Sequence, residues 1–294
     1  MNFIRKHIIL SIFLAVFSFY VYINFTRMVP GNELVDKSSK YYVNSLYMSD
    51  QRIYNEFLDD REKKMYDLLL AATKKGEKEV SIKLMDFGCK DANDCASLVW
   101  LANDAMVVDH PELLNYGWYE ISYKDGIFKV IVKSAIAFPF LESIGEARIE
   151  RIIDDIKEET KNMSDKEKIK YVYNWMGNNT TYDKVFTEFS KNQSIYSVFM
   201  SKEAVCAGFA KASQVIFQNI GINSFGITGN TSGPHMWNVV EYDGKYYFFD
   251  STVATSLNSS SEYYENGLKQ EQMADYIMDY PDWYPEIEEV GIKW

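Results

Sequence analysis

Several residue types are in short supply in this chain, and each shortage excludes something. Only six of the 294 residues are Pro, against 22 Tyr. That excludes a proline-rich linker and favours sheet-containing structure. No internal repeat and no low-complexity tract is present. With 47% hydrophobic and 16% aromatic residues, whole-chain disorder is excluded too. The length fits one large domain or two small ones.

Basic residues are outnumbered. Arg5, Lys6 and Arg27 stand in the first 27 residues, which hold no acid. The remainder carries 28 basic residues against 42 acidic, a net of −14. Such a surface repels nucleic acid and anionic lipid, so no nucleic-acid partner is expected.

Residues 8–25 form the one long apolar run, interrupted only by Ser11, Ser18 and Asn24. About 18 residues is near the lower limit for crossing a bilayer. No A-x-A-like cleavage site follows the run, which favours an uncleaved signal anchor over a cleaved signal peptide. Basic residues on the short side put the N-terminus in the cytoplasm and the rest outside. Secretion after cleavage is the alternative. The membrane is then a partner through this helix.

Cysteine is scarce: Cys89, Cys95 and Cys206. An odd count outside a cell suggests one local pair and one free thiol. Cys89 and Cys95, six apart in a polar loop, are the candidate disulfide, with two unpaired thiols as the alternative. Metal-ligand spacing is missing as well. Asp91, Asn93 and Asp94 lack the spacing and terminal Glu of a calcium loop. Asp104, Asp109 and His110 are read more simply as helix caps. No metal and no cofactor is expected.

Periodicity predicts helices over 50–74, 93–108 and 143–161, and another headed by Ser164 with Glu167 as its capping-box partner. Strands are expected over 79–84, 118–123 and 127–134. The last two are joined by Asp125-Gly126, a strong hairpin signal. The polar stretch from Thr228 to Pro234, with Gly229 and Gly233, reads as a mobile loop.

The chemistry gathers later. Residues 202–221 read as a helix packed closely through Ala207, Gly208, Ala210 and Ala212, ended by Gly221. Cys206 falls in its first turn, where free N–H groups and the helix dipole favour a thiolate, the nucleophilic form. A small buried hydrophobe is the alternative. Histidine is scarce too, three in all, and only His235 lies in a strand pattern, His235-Met-Trp-Asn, running to Asp243-Gly244 and back to Asp250. With Tyr242 opposite Lys245, Val239 faces Phe248 and Trp237 faces Asp250. His235, Trp237, Val239, Phe248 and Asp250 then share one face, and His235 and Asp250 become diagonal neighbours. A one-residue slip would separate them. This makes Asp250 a candidate to orient the imidazole that serves a thiol; a turn-capping strand end is the alternative.

These motifs carry a resemblance. Cys206-Ala-Gly-Phe, His235-Met-Trp-Asn, Asp243-Gly-Lys-Tyr-Tyr, Asp250-Ser-Thr and the upstream Tyr182-Asp183 resemble the bacterial branch of the transglutaminase-like superfamily, from about Lys166 to Val253. Ala207, Ser251 and Val253 depart from its usual pattern. The resemblance implies an α+β, papain-like fold: a helix bearing Cys206 against an antiparallel sheet bearing His235 and Asp250. It implies that Cys206 attacks an amide carbonyl, His235 shuttles the proton and Asp250 orients His235. It offers Tyr182 as an oxyanion donor beside the Cys206 N–H; a packed core aromatic is the alternative. Trp237 walls the site or simply fills the core.

The expected organisation is a stub and signal anchor (1–28), a tether (29–49), an α/β lead-in (50–162), the transglutaminase-like core (163–258) and an aromatic, acidic tail (259–294). The expected function is extracellular acyl transfer on protein or peptide amides at the cell surface, by hydrolysis or cross-linking. The alternative is an inactive module of the same fold that binds surface protein or wall polymer.

Overall fold

The computed structural model describes residues 46–114, 116–134, 139–184, 192–256, 275–288 and 291–292. The apolar run at 8–25 and most of the tether lie outside these, as does the first part of the tail. Among the described residues no helix is long and apolar enough to cross a membrane.

The single helix expected over 50–74 is two: α1 (Arg52–Glu56) and α2 (Asp60–Lys75). Each has its own start. The Asp59 carboxylate accepts from Glu62 N, and Glu62 returns the bond to Asp59 N, both at 2.8 Å. That capping box opens α2. The buried Asp109 carboxylate accepts the N–H groups of Ile53 and Tyr54 at 3.0 Å each, which opens α1. After β1 (Glu79–Lys83), a disulfide joins Cys89 to Cys95, Cα atoms 5.2 Å apart, at the start of α3 (Ala92–Asp109). β2 (Tyr116–Lys124) and β3 (Ile127–Ser134) form the expected hairpin, with Asp125 and Gly126 at φ 52° and 80°. β1 adds to β3, giving a three-stranded antiparallel sheet in the order β1-β3-β2.

The second half begins with α4 (Pro139–Thr160) and α5 (Asp165–Asn179), the latter opened by the Ser164–Glu167 capping box. The short strands β4 (Thr181–Tyr182) and β5 (Glu203–Ala204) pair in parallel and lead into α6 (Cys206–Asn219). Then come β6 (Ser224–Asn230), β7 (Pro234–Tyr242), β8 (Lys245–Phe249), the turn of helix α7 (Val253–Ser256) and the short strand β9 (Ile277–Met278). β6 to β9 make an antiparallel sheet in the order β8-β7-β6-β9. The register of β7 and β8 is the one expected, Tyr242 to Lys245 and Val239 to Phe248. Thr228 to Asn230, expected in a mobile loop, belong to β6 instead. The glycine there serves close packing, not mobility: a Cβ on Gly229 would lie 2.1 Å from the Ile277 carbonyl oxygen and 2.6 Å from the Trp237 ring.

α6 is the central helix. Its Phe209, Ala212, Val215, Ile216 and Phe217 join a cluster with α4, α5, Val240 and Phe249. Its Ala207 and Ala210 join a second cluster, where Ile227, Met236 and Trp237 meet Met65, Leu98 and Met106 of the first half. Each large apolar side chain so buried stabilises the fold by about 1.5–3 kcal/mol. The Asn238 amide donates to Ala210 O at 3.0 Å and ties the helix to the sheet. The segment beyond β9 returns to the first half: Tyr280 O–H donates to Asp104 at 3.0 Å, and the Arg52 guanidinium donates to Trp283 O at 2.6 Å.

Candidate active site

Cys206 is the first residue of α6, and Val205 before it supplies no side-chain cap. The open end of the helix therefore presents its N–H groups beside the thiol. The approach is fixed by backbone bonds: Asp183 N donates to Ala204 O at 2.9 Å, and Val205 N to Asn192 O at 3.0 Å. Small residues are needed here because a Cβ on Gly208 would sit 3.0 Å from Asn192 O and from Ser197 Oγ. Lys202, just upstream, adopts a left-handed conformation at φ 62°, the kind of backbone strain that clusters near functional sites.

His235 and Asp250 meet as the register requires. His235 Nε2 lies 2.8 Å from Asp250 Oδ2. The imidazole also feels Cys206, which acts with Asp250 to favour its protonated form. Asp250 is buried and well supplied with donors. Thr252 N and Thr252 Oγ1 reach Oδ1 at 2.9 and 2.6 Å, and the Tyr276 hydroxyl reaches Oδ2 at 2.8 Å.

The electrostatics follow from these contacts. Burial pushes the His235 pKa down, but the hydrogen bond to Asp250 and the interaction with Cys206 outweigh it, raising it to about 10. Burial pushes the Asp250 carboxyl up, yet His235, Thr252 and Tyr276 together hold it below its ordinary value. A second buried group underlies the helix. Lys211 donates to Gln193 O at 3.0 Å and lies 4.0 Å from the Tyr116 ring centre. Burial brings its pKa down to about 7, partly countered by Cys206.

Of the other expected site residues, Tyr182 interacts with the thiol: its pKa is raised, first by burial and then by the Cys206 charge. Trp237 is 1% exposed. It stacks on the His235 ring at 5.8 Å and 20°, and meets Tyr276 edge-on at 5.1 Å. It is thus both core and wall.

Tyr276 is the residue sequence reasoning missed. It stands in the tail, with no periodic pattern around it. The residues weighed as metal ligands have other partners. Asp91 caps α3 through Asp94 N, Asp94 pairs with Arg61 at 2.9 Å, Asp104 accepts from Tyr280, and His110 Nδ1 pairs with Glu112 at 2.8 Å. A cavity of about 210 Å³, lined by Asp109, Gln214, Gln218 and Ser224 among others, lies toward the other end of α6.

Residues 152–251 match the family model of the transglutaminase-like superfamily. Among solved structures, a TGase matches at 20% identity and TM-score 0.35, over 50% of this chain and 47% of its own. A candidate cysteine protease from Cytophaga hutchinsonii matches at 14% and 0.34, over 55% and 65%. The periplasmic domain of TgpA from Pseudomonas aeruginosa matches at 10% and 0.30, over 44% and 56%. The chain spans between 47% and 65% of the length of these proteins. No curated protein matches it. The family match spans the motif residues Cys206, His235 and Asp250. Residues 152–251 thus form a mixed helix-and-sheet region that resembles the transglutaminase-like superfamily.

Proposed function

We propose that this domain is a thiol-dependent acyl-transfer enzyme acting on amide bonds of proteins or peptides, with Cys206 as nucleophile, His235 as acid–base and Asp250 as the group that orients it. One observation carries the reading: the imidazole held by Asp250 at 2.8 Å interacts with the thiol of Cys206, the first residue of α6. A papain-like mechanism needs that arrangement.

The chemistry runs in two halves. The Cys206 thiol gives its proton to His235, and the thiolate attacks the amide carbonyl carbon. The oxygen that gains charge accepts from the Cys206 backbone N–H. Tyr182, whose pKa is raised in part by Cys206, is the second candidate donor. The C–N bond then breaks, the imidazolium proton goes to the leaving amine, and a thioester remains. Water or a second amine attacks the thioester, His235 takes its proton, and the thiolate leaves. Water gives a peptidase or amidase, and an amine gives a cross-link. How well the site excludes water decides between them. We place this activity outside the membrane, on surface protein or peptide. The motivation is the apolar run at 8–25 flanked by Arg5 and Lys6.

Trapping tests the reading. Intact cells treated with an electrophilic amide-mimicking probe are expected to yield a Cys206 adduct that Cys206→Ala abolishes and His235→Ala strongly reduces. No adduct, under conditions that label a known thiol enzyme, would leave the fold as a binding module only.

A further inference from the structure

Asp250 does not serve His235 alone. Its Oδ2 accepts two hydrogen bonds of equal length, one from His235 Nε2 and one from the Tyr276 hydroxyl, each 2.8 Å. The Tyr276 ring also packs against His235 at 6.1 Å, Trp237 at 5.1 Å and Phe248 at 5.7 Å. Its backbone is pinned from the next residue on. Ile277 and Met278 pair with Asn230 and Gly229, and Asp279 N donates to Thr228 O at 3.1 Å. Gly229 stands directly opposite His235 in the β6–β7 register. The C-terminal segment is therefore laid down beside the imidazole and delivers one hydroxyl to its carboxylate.

We propose that Tyr276 is a positioning residue of the site: it fixes the Asp250 carboxylate and draws part of its charge away from His235, so that the imidazole can release its proton. The inference rests on the proposed function. An imidazolium held by the whole carboxylate charge would be slow to pass its proton to a leaving amine. A second donor on the same oxygen weakens that hold. The other titratable groups acting here are Cys206 on α6, Tyr182 on β4, which feels both Cys206 and Asp250, and Lys211, which acts on Cys206 from within α6.

The test follows the imidazole itself, so it needs no known substrate. In the full chain with Cys206→Ala, the His235 ring nitrogens are titrated by NMR. Tyr276→Phe keeps the ring and removes the hydroxyl. It is expected to raise the His235 midpoint by about one pH unit, whereas Asp250→Asn lowers it. Loss of packing alone would not raise it. If Tyr276→Phe leaves the midpoint unmoved or lowers it while Asp250→Asn lowers it, this inference is overturned and the proposed function stands. If Asp250→Asn also leaves it unmoved, the His235–Asp250 pair does not act as a unit and both readings fall. A fluorinated, more acidic tyrosine incorporated at position 276 provides an independent arm. It donates more strongly and is expected to lower the midpoint; no change or a rise overturns the inference.

Discussion

Two bases, half-buried His235 and buried Lys211, both feel the charge of one thiol, and they answer pH in opposite senses. His235 is raised from 6.5 to about 10 in the folded chain. The stability it contributes is full below about pH 6.5 and fades as pH climbs to about 10. Lys211 is lowered from 10.5 to about 7. The unfolded chain holds that proton where the folded chain gives it up, so the cost is full below about pH 7 and vanishes by about 10.5. The two trends offset each other in the parent protein, and variants separate them. Lys211→Met is expected to stabilise the fold by about 1–3 kcal/mol near neutral pH, where a buried charge gives way to an apolar side chain. The gain should disappear near pH 10. His235→Asn should lose stability at pH 6 and converge on the parent near pH 10. Melting temperatures measured across that range check both. A Lys211→Met variant no more stable than the parent at neutral pH would mean that the ammonium is not buried at a cost.

At the scale of elements, local chemistry was legible and close approach was not. Asp125-Gly126 and Asp243-Gly244 each take two left-handed residues, at φ 52° and 80°, and 53° and 70°. Turn, register and the meeting of His235 with Asp250 could therefore be read from the sequence. The Ser164–Glu167 box could be read for the same reason. The Asp59–Glu62 box is equally local, but the apolar period runs straight across it from Ile53 to Met65 and hides the break. β6 was hidden because its glycines look like loop residues. They are there to let another strand and a tryptophan ring come near, and that neighbour lies far along the chain. Gly229→Ala tests the point. The added methyl meets the Ile277 carbonyl, so β9 must lift or Trp237 must move. The expected cost is about 1–3 kcal/mol, with faster amide exchange in residues 277–279. Unchanged protection there would contradict the close packing of β9 on β6.

The whole molecule does not come apart where its motifs end. One apolar cluster runs from Ile53 and Met65 through Leu98 and Met106 to Ile227, Met236 and Trp237. The Gln214 amide donates across it to Val108 O at 3.0 Å. A fragment limited to 163–258 would open that cluster to water. It is expected to keep helical and strand signal in the far-UV while losing near-UV structure and binding a hydrophobic dye, as loosely packed states do. Sharp near-UV bands and cooperative melting from the fragment would show that the first half is dispensable. Sequence motifs could not reveal this dependence, because apolar residues advertise burial but not their partner.

Strand β9 and its tyrosine give the site an order of assembly. Chains are made from the N-terminus, and their domains fold in that order. Cys206, His235 and Asp250 all leave the ribosome before Tyr276 does. A growing or prematurely ended chain that has not reached this strand has Asp250 without its Tyr276 donor, and lacks the segment that ties both halves together.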